Sequence, residues 1–292
     1  PEFGTIRSML WPIRSSELAK FLPMASLIFT IWLNQNIVRS IKDSLIITQI
    51  SPEVISYIKL WLEMPIGVLF VIIYTKICNV MTTEKAFRII VLFFIMFFTI
   101  FAYLIYPIRD LIHPSPDNIA LYSQSYPHIK WFIALWGKWS FTLYYVMGEL
   151  WPLVVSMLLF WQLANKITHT EEAKRFYSFF CLFGQISLVL AGLIIQYFVS
   201  SNHILLPFFP GADSSTIALK ALSLIVCITG IATILIHRYV EVNIIENHNV
   251  NITASSKKLK LGIIDSAKII FNSRYLGLIC ILMISYSVTV SL

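Results

Sequence analysis

The sequence predicts an all-α membrane protein that crosses the bilayer several times. Of its 292 residues, 58% are hydrophobic and only 13% are charged, whereas soluble domains carry about 25% charged residues. The mean hydropathy is +0.77, and the apolar residues form long runs, unlike the alternating segments of about 10 residues in a membrane β-barrel. We therefore interpret the net charge of +7 by its position relative to the membrane, and we expect no nucleic-acid partner.

Six apolar runs are long enough to span a membrane as helices. They cover about residues 21–47, 54–80, 86–106, 130–163, 176–199 and 217–239. We divide the chain into a cytoplasmic lead with a possible tag scar (1–20), a six-span bundle (21–240), a basic cytoplasmic linker (241–274) and a truncated seventh span (275–292). A linker followed by a seventh span is typical of the middle of a transporter built from two six-span halves. We therefore expect a C-terminal half of the same protein.

The first span carries charged residues near its C-terminal end. Gln35, Arg39 and Lys42 share one helical stripe about 60° wide, and Asp43 lies four residues after Arg39. Ionisable groups at membrane depth are costly unless they are paired or face a wet cavity. The stripe therefore indicates a site on the path of a transported anion. The alternative is that these charges only extend towards the membrane interface.

The second and third spans are less informative. Lys59 and Glu63, four residues apart in the second span, are interpreted as a self-neutralising structural pair, with a functional site as the alternative. Pro65 with Gly67 indicates a kink. The third span has no charged stripe, so we expect it to face lipid or to pack peripherally. His113 and His128 in the loop after it are expected to be solvated, and not metal ligands.

The fourth span repeats polar residues at helical spacing. They are Lys138, Thr142, Tyr145, Glu149 and Ser156. This spacing places them on one face of a helix. Lys138 and Glu149 are too far apart along that face to neutralise each other fully. Each therefore needs a partner on another helix, in water or in a substrate.

The distribution of Lys and Arg predicts the orientation of the chain. With the N-terminus in the cytoplasm, most of the 22 Lys and Arg residues fall on the cytoplasmic side, as the positive-inside rule requires. The basic run Lys257-Lys258-Leu259-Lys260 in the linker also falls on that side. We therefore expect a multi-pass protein with a cytoplasmic N-terminus.

Five short stretches carry a resemblance to a known family. They are Arg-Ser-Ile-Lys-Asp at 39–43, Gly-Lys-Trp-Ser at 137–140, Gly-Glu-Leu-Trp at 148–151, Leu-Phe-Trp-Gln-Leu-Ala-Asn at 159–165 and Glu-Ala-Lys-Arg-Phe-Tyr at 172–177. With these stretches, the chain resembles the N-terminal half of the non-mitochondrial ATP/ADP translocases of rickettsiae, chlamydiae and plastids. The Ile-, Asn- and Lys-rich usage favours a bacterial member of rickettsial type, in the inner (cell) membrane.

The resemblance implies half of a twelve-span carrier related in architecture to the major facilitator fold. Family members take up ATP in exchange for ADP and phosphate, and some carry other nucleotides. Transport in the family depends on a lysine in the first-span motif and a glutamate in the Glu-Leu-Trp motif, which fall on Lys42 and Glu149. Pro152, where many members have Gly, and Gly148, where Ala is frequent, depart from the family pattern and bear on nucleotide preference more than on fold.

The candidate substrate-binding residues are cationic or polar side chains of the first and fourth spans. Arg39, Lys42 and Lys138 are candidates for phosphate contacts, because a cation in a low-dielectric cavity attracts phosphate and donates hydrogen bonds to it. Glu149 is expected to hold a lysine in the empty site, or to accept hydrogen bonds from ribose or base. Gln35 and Tyr145 complete the set. The expected partners are ATP, ADP and phosphate as substrates, the lipid bilayer, and the C-terminal half.

Other functions remain as alternatives at this stage. The chain could carry GTP, CTP or UTP, or it could be a noncatalytic membrane scaffold in which the same charges form interhelical pairs. No phosphate-binding loop of the G-x-x-x-x-G-K-[ST] type occurs, and no HExxH, GxSxG or paired-Asp motif lies in a span. We therefore expect a transporter and not an enzyme, with no cofactor and no metal site.

Overall fold

The computed structural model describes residues 13–200 and 213–246, together with Ser273, Gly277, Leu278 and Ser285. Over these residues it contains helices and no strand, and six helices are long and apolar enough to cross a membrane. The prediction of an all-α polytopic membrane protein is confirmed. Most of the predicted basic linker and seventh span lies outside the described residues.

The helices of the described ranges follow the predicted runs closely. One further helix forms in the loop after the third run, and the fourth run is divided into two helices. They are α1 (Leu18–Gln49), α2 (Val54–Val80), α3 (Thr83–Ile112), α4 (Pro116–Ser125), α5 (Lys130–Gly137), α6 (Trp139–Ile167), α7 (Thr170–Ser200) and α8 (Ser214–Val240). A 3-10 turn, Ser15–Glu17, precedes α1, and a π turn, Glu241–Glu246, continues α8. Helical structure therefore extends into the start of the predicted linker.

The central helix of the bundle is α1, which packs against α6, α7 and α8. Phe21, Met24 and Ile28 on it are fully buried, as expected for a helix that is apolar on most sides. At Gly184 of α7, an added Cβ would lie 2.3 Å from Cε3 of Trp32. Because only glycine leaves room for the indole there, α7 comes close to α1. The charged end of α1 is therefore carried by a helix enclosed within the bundle.

A π turn over Lys59–Glu63 lies just before the position at which a kink in α2 is predicted. Pro65 follows two residues later. A proline has no N–H to donate, and its ring clashes with the carbonyl group four residues earlier. The regular helical hydrogen-bond pattern therefore cannot continue unchanged through this stretch. Such a turn reorients the side chains on either side of it, and π turns are frequent at functional sites.

The prediction of one continuous helix over 130–163 is wrong. The helix is broken at Lys138 (φ −119°, ψ 41°) into α5 and α6. At Gly137, an added Cβ would lie 2.5 Å from Cδ1 of Ile119 in α4, so α5 is pressed against a helix that forms within the predicted loop. The break is absent from the hydropathy pattern because the residues on both sides of it are apolar. The remaining helix, α6, is still long enough to span a membrane.

The prediction that His113 is solvated is also wrong. Its side chain is 8% exposed, and Nε2 lies 2.8 Å from Oγ of Ser140. The ring packs edge-on against Phe141, with 4.9 Å between centroids. Burial, which disfavours the charged imidazolium, together with the nearby charge of Lys138, lowers the pKa of His113 below its ordinary value. His128 is exposed, as expected.

Ion pairs between helices are concentrated at the end of the bundle where α1 begins. They are Lys20–Glu172 and Arg175–Glu17 between α7 and the start of α1, Arg88–Glu241 between α3 and the end of α8, and Lys166–Glu84 between α6 and α3. The Arg175 guanidinium donates two hydrogen bonds to Glu17, of 2.6 and 3.0 Å, in the paired geometry that favours Arg–carboxylate contacts. This end is the one predicted to face the cytoplasm.

At the opposite end, α3 and α8 meet through Arg109 and Asp213, with 3.5 Å between Nη2 and Oδ2. Asp213 precedes the first residue of α8, and Ser215 and Thr216 donate hydroxyl hydrogen bonds to its carboxylate. Partial burial by itself raises the pKa of this carboxyl, but these hydrogen bonds and the Arg109 charge outweigh it, so the pKa of Asp213 lies below its ordinary value.

Candidate functional site

The charged end of α1 places one lysine inside the protein. The side chain of Lys42 is 4% exposed, and Nζ lies 2.6 Å from Oδ1 of Asp43 and 2.8 Å from Oε1 of Glu149. Glu149 is on α6 and is 20% exposed. A buried ammonium needs such partners, because removing an unpaired charge from water costs several kcal/mol. The expectation that Glu149 finds a partner on another helix is therefore met by Lys42.

An aromatic ring completes the surroundings of the ammonium. Tyr145, one turn before Glu149 on α6, presents its ring face to Nζ of Lys42 at 4.0 Å from the centroid. An ammonium at this distance is attracted to the electron-rich face of the ring, and the attraction is larger when water is excluded. The spacing of these two residues along one helical face brings both side chains to the same lysine.

Gly148 gives the lysine a path across α6. A Cβ on Gly148 would lie 2.9 Å from Cδ of Lys42 and 3.2 Å from Cγ1 of Val38, both closer than ordinary van der Waals contact. With glycine there, the Lys42 side chain crosses directly over the α6 backbone to reach Glu149. Gly148 is thus part of the site, a role that the motif comparison alone did not assign to it.

Two tryptophans fix the register between α1 and α6. Nε1 of Trp32 donates a hydrogen bond to Oγ of Ser156 at 2.8 Å, and Nε1 of Trp151 donates to the carbonyl of Ile31 at 3.1 Å. Trp151 is fully buried, and a buried indole N–H requires an acceptor. Ser156 therefore supports helix packing, and the two bonds hold Glu149 at a fixed height beside α1.

Glu63 of α2 also faces this group, although the sequence analysis assigned it to a structural pair. Lys59 and Glu63 form no close ion pair in the described part of the chain, although the charge of Lys59 acts on Glu63 at longer range. The charged groups that interact with Glu63 are Glu149, Lys59 and Lys42. Its Oε2 atom is buried and has no hydrogen-bond partner among the described residues. The i, i+4 spacing that pairs side chains in an α-helix does not apply unchanged here, because Lys59–Glu63 form a π turn.

The other predicted site residues do not meet the ammonium of Lys42. Arg39 is exposed and forms no ion pair with any described residue. Oε1 of Gln35 is buried without a hydrogen-bond partner, two turns along α1. Lys138 lies at the helix break and interacts with His113. Eleven residues separate it from Glu149, which is roughly 16 Å along a helix.

Two cavities of appreciable size lie elsewhere in the described bundle. One of about 460 Å³ lies between α1, α7 and α8 and includes Ser40, Ser44 and Thr48 in its lining. Another of about 350 Å³ lies between α2, α5 and α6, with an apolar lining that includes Trp136 and Leu143. Neither is lined by Lys42 or Glu149. The ammonium of Lys42 is thus buried by its ion-pair partners, while Asp43 and Glu149 remain partly exposed.

The site combines one buried cation with acidic side chains from two helices. The ammonium of Lys42 is paired with the carboxylates of Asp43 and Glu149, and Glu63 interacts with this group at longer range, without an ion pair to the lysine. The described residues contain no cluster of His, Cys, Asp and Glu that would hold a metal ion. An anion that enters would compete with carboxylates for the lysine. Intramembrane ionisable groups of this kind mark substrate or ion pathways. The fold and the site together define a polytopic membrane protein of the transporter class.

Comparison with known proteins gives the family. The model of the TLC ATP/ADP transporter family matches residues 1–292, so the chain belongs to this family. The resemblance found in the sequence motifs is confirmed. The family is one of carriers and not of enzymes.

Several curated proteins are similar to the chain. It is 41% identical to ADP,ATP carrier protein 5 of Rickettsia felis and 40% identical to ADP,ATP carrier protein 1 of Rickettsia bellii, over 98% of the chain in both cases. It is 38% identical to ADP,ATP carrier protein 3 of Rickettsia typhi, over 99% of the chain. The matches cover 58%, 57% and 60% of those carriers, so the chain spans less than two thirds of their length. No solved structure matches the chain.

Proposed function

We propose that the protein exchanges ATP for ADP across a bacterial membrane by alternating access, with Lys42 as a contact for the nucleotide phosphates. The single observation that carries the proposal is the buried ammonium of Lys42, held between α1 and α6 by Glu149 and resting on the ring of Tyr145. The family and the names of the rickettsial relatives support a nucleotide as the substrate.

The charge of the substrate explains why a paired lysine suits this role. ATP carries about four negative charges, and a lysine in a low-dielectric site supplies both Coulomb attraction and hydrogen bonds to phosphate. When the site is empty, Glu149 and Asp43 neutralise the ammonium, which avoids leaving a charge buried alone. Binding of a phosphate then exchanges one anionic partner of Lys42 for another. Such an exchange is reversible, as transport requires.

The remaining features of the carrier are part of the same proposal. We place the protein in the bacterial inner membrane with its N-terminus in the cytoplasm, as the Lys and Arg distribution favours. A C-terminal half of the same protein would provide the facing wall of the cavity. Arg39, on the exposed side of α1, would supply a cation to that cavity. Phosphate is proposed as an accompanying substrate, and the surrounding lipid as the partner of the exposed apolar side chains.

The test is uptake of labelled ATP by proteoliposomes that contain the full-length protein. Liposomes loaded with ADP should accumulate ATP faster than empty ones, since exchange requires a counter-substrate. Competition by unlabelled GTP, CTP and UTP identifies the preferred nucleotide. Efficient competition by one of these three and not by ADP would assign a different nucleotide carrier.

A noncatalytic scaffold is the second candidate, because the Lys42–Glu149 contact also serves as an interhelical ion pair. A protein that is inserted at normal levels and gives no uptake of any labelled nucleotide, with or without internal ADP, would favour the scaffold. Equal uptake by loaded and empty liposomes would instead indicate a uniporter and contradict exchange.

A further inference from the structure

The strongest unexplained feature near the site is the carboxylate of Glu63. Its Oε2 atom is buried and accepts no hydrogen bond from a described residue. A buried carboxylate oxygen without a donor is costly, and such a group is retained where it serves a function. Lys59, four residues earlier, acts on Glu63 only at longer range, so no close ion pair with a described residue neutralises this carboxylate.

The helix geometry directs this carboxylate towards the lysine site. Glu63 is the last residue of the π turn in α2, and Gly67, one turn later, is buried against Leu153 of α6, where an added Cβ would lie 3.3 Å from Cδ2. Glu63 and Glu149 each lie four residues before this contact, on α2 and α6 respectively. The charge of Glu149, followed by those of Lys59 and Lys42, acts on Glu63. The turn and the glycine thus place a second acidic residue from another helix beside the Lys42–Glu149 pair.

We propose that Glu63 is a positioning residue of the exchange cycle, whose negative charge drives Lys42 back to Glu149 and so promotes release of the bound nucleotide. This inference rests on the proposed function, since it assumes that an anionic substrate draws Lys42 away from Glu149. The residue acts on the lysine through its charge and needs no contact with the substrate.

The direction of the effect follows from the charges. When a phosphate takes the ammonium, Glu149 loses a counter-ion while Glu63 stays close to it, and two nearby carboxylates repel each other. This repulsion raises the free energy of the occupied site relative to the empty one. When the phosphate leaves, Lys42 again neutralises Glu149 and the repulsion is offset. Glu63 therefore weakens nucleotide binding and speeds release.

The test is ATP/ADP exchange by the full-length protein in proteoliposomes, with Glu63→Gln as the variant. We expect the apparent KM for ATP to fall by roughly three- to tenfold, with a reduced maximal rate, since removal of a charge at this range changes binding by about that factor. Glu63→Met, which has a similar length and is tolerated in a membrane span, should show the same change. Glu53→Gln, an exposed acid at the start of the same helix, is the matched control and should match the wild type.

The outcomes separate this proposal from the function on which it rests. Wild-type protein that is inserted but exchanges no nucleotide refutes the function, whereas wild-type exchange with an unchanged KM and maximal rate in Glu63→Gln refutes only the role of Glu63. A lower maximal rate with an unchanged or higher KM also refutes it, because a packing defect would give that result. If neither variant is inserted, Glu63 is needed for folding and the proposal is wrong.

Discussion

The ammonium of Lys42 and the carboxylate of Glu149 form an ion pair of 2.8 Å that joins α1 to α6. The Trp32 and Trp151 hydrogen bonds hold both helices in register. The two side chains therefore lose less conformational entropy when the ion pair forms. Removing Lys42 leaves Glu149 without its ion-pair partner, whereas removing the charge of Glu149 leaves Lys42 paired with Asp43. The two residues are therefore expected to differ in what their variants do to exchange, because only the lysine attracts the phosphates.

Removal of the lysine should nearly abolish exchange. Lys42→Ala is expected to lower affinity for ATP by about 10- to 150-fold, since a hydrogen bond to a charged group contributes roughly 1.5 to 3 kcal/mol. Lys42→Arg should keep part of the activity, because the charge stays while the compact donor geometry changes. The measurement is the initial rate of labelled ATP uptake at matched expression. The control Lys76→Ala, at an exposed position of α2, should leave uptake unchanged. Unchanged uptake in Lys42→Ala would show that Lys42 is only a structural partner.

Neutralisation of the glutamate should affect turnover more than binding. In Glu149→Gln the lysine keeps Asp43 as a partner at 2.6 Å, so the ammonium remains in place to meet phosphate. What is lost is the negative charge that attracts Lys42 back between substrates, since the glutamine oxygen remains a neutral acceptor. We expect a fall in the maximal exchange rate of about tenfold, the effect of roughly 1.4 kcal/mol, with a smaller change in the concentration of ATP that half-saturates uptake. Equal loss in both quantities would contradict this division of roles.

The glycine that lies under the lysine gives a steric test of the site. In Gly148→Ala the new methyl group would lie 2.9 Å from Cδ of Lys42, so the lysine must move away from its present path. We expect a measurable change in the apparent KM for ATP, about twofold or more, at wild-type expression, since overpacking by one methyl group commonly costs about 1 to 3 kcal/mol. Gly192→Ala on α7, where an added Cβ has nothing within 4 Å, is the control. Identical kinetics in Gly148→Ala and the wild type would show that the Lys42 path is not restrictive.

The fold was predictable from sequence because a membrane imposes simple rules on composition and length. The apolar runs gave all six spans that the described residues contain, since each must satisfy its backbone within a helix of about 20 residues. The break at Lys138 was missed for the same reason, because hydropathy measures burial in lipid and not backbone direction. The burial of His113 arises from a contact with Ser140, which no local pattern reports.

The site was predictable only where one helix face determines it. Three predicted site residues are in contact in the structure: Lys42, Tyr145 and Glu149. They were identified from the helical spacing of Tyr145 and Glu149 and from the position of Lys42 on α1. Glu63 was missed because its orientation depends on a π turn, and i, i+4 spacing assumes an unbroken α-helix. Lys138 was included because the spacing puts it on one helical face with Tyr145 and Glu149, and that spacing does not reveal the break of the helix at Lys138.

Protonation of His113 should destabilise the protein at mildly acidic pH. The unfolded chain binds the proton near the ordinary pKa of about 6.5, whereas burial and Lys138 lower the pKa in the folded protein. The stabilisation that depends on neutral His113 is therefore complete above about pH 6.5 and is lost as the pH falls from there towards the folded pKa. Thermal unfolding of the purified protein between pH 8 and 5 measures this.

The variant His113→Gln provides the comparison for that titration. Glutamine retains a hydrogen-bonding group for Ser140 but takes up no proton, so the decline in melting temperature with falling pH should be smaller in the variant than in the wild type. His128→Gln, at an exposed position, should follow the wild-type curve. Parallel curves for His113→Gln and the wild type would show that His113 does not contribute to the acid sensitivity.

The orientation of the bundle can be tested with two exposed positions at opposite ends. Asp117 lies on α4, in the connection after the third span, and Lys174 lies near the start of α7, beside the ion pairs of the other end. The positive-inside rule places Asp117 outside and Lys174 in the cytoplasm.

The test uses a variant in which serine replaces the four native cysteines, Cys78, Cys181, Cys227 and Cys280. A membrane-impermeant maleimide should then label Asp117→Cys in intact cells and should label Lys174→Cys only after the cells are permeabilised. Labelling of Lys174→Cys in intact cells, with Asp117→Cys protected, would reverse the orientation and with it the side from which Lys42 first meets the nucleotide.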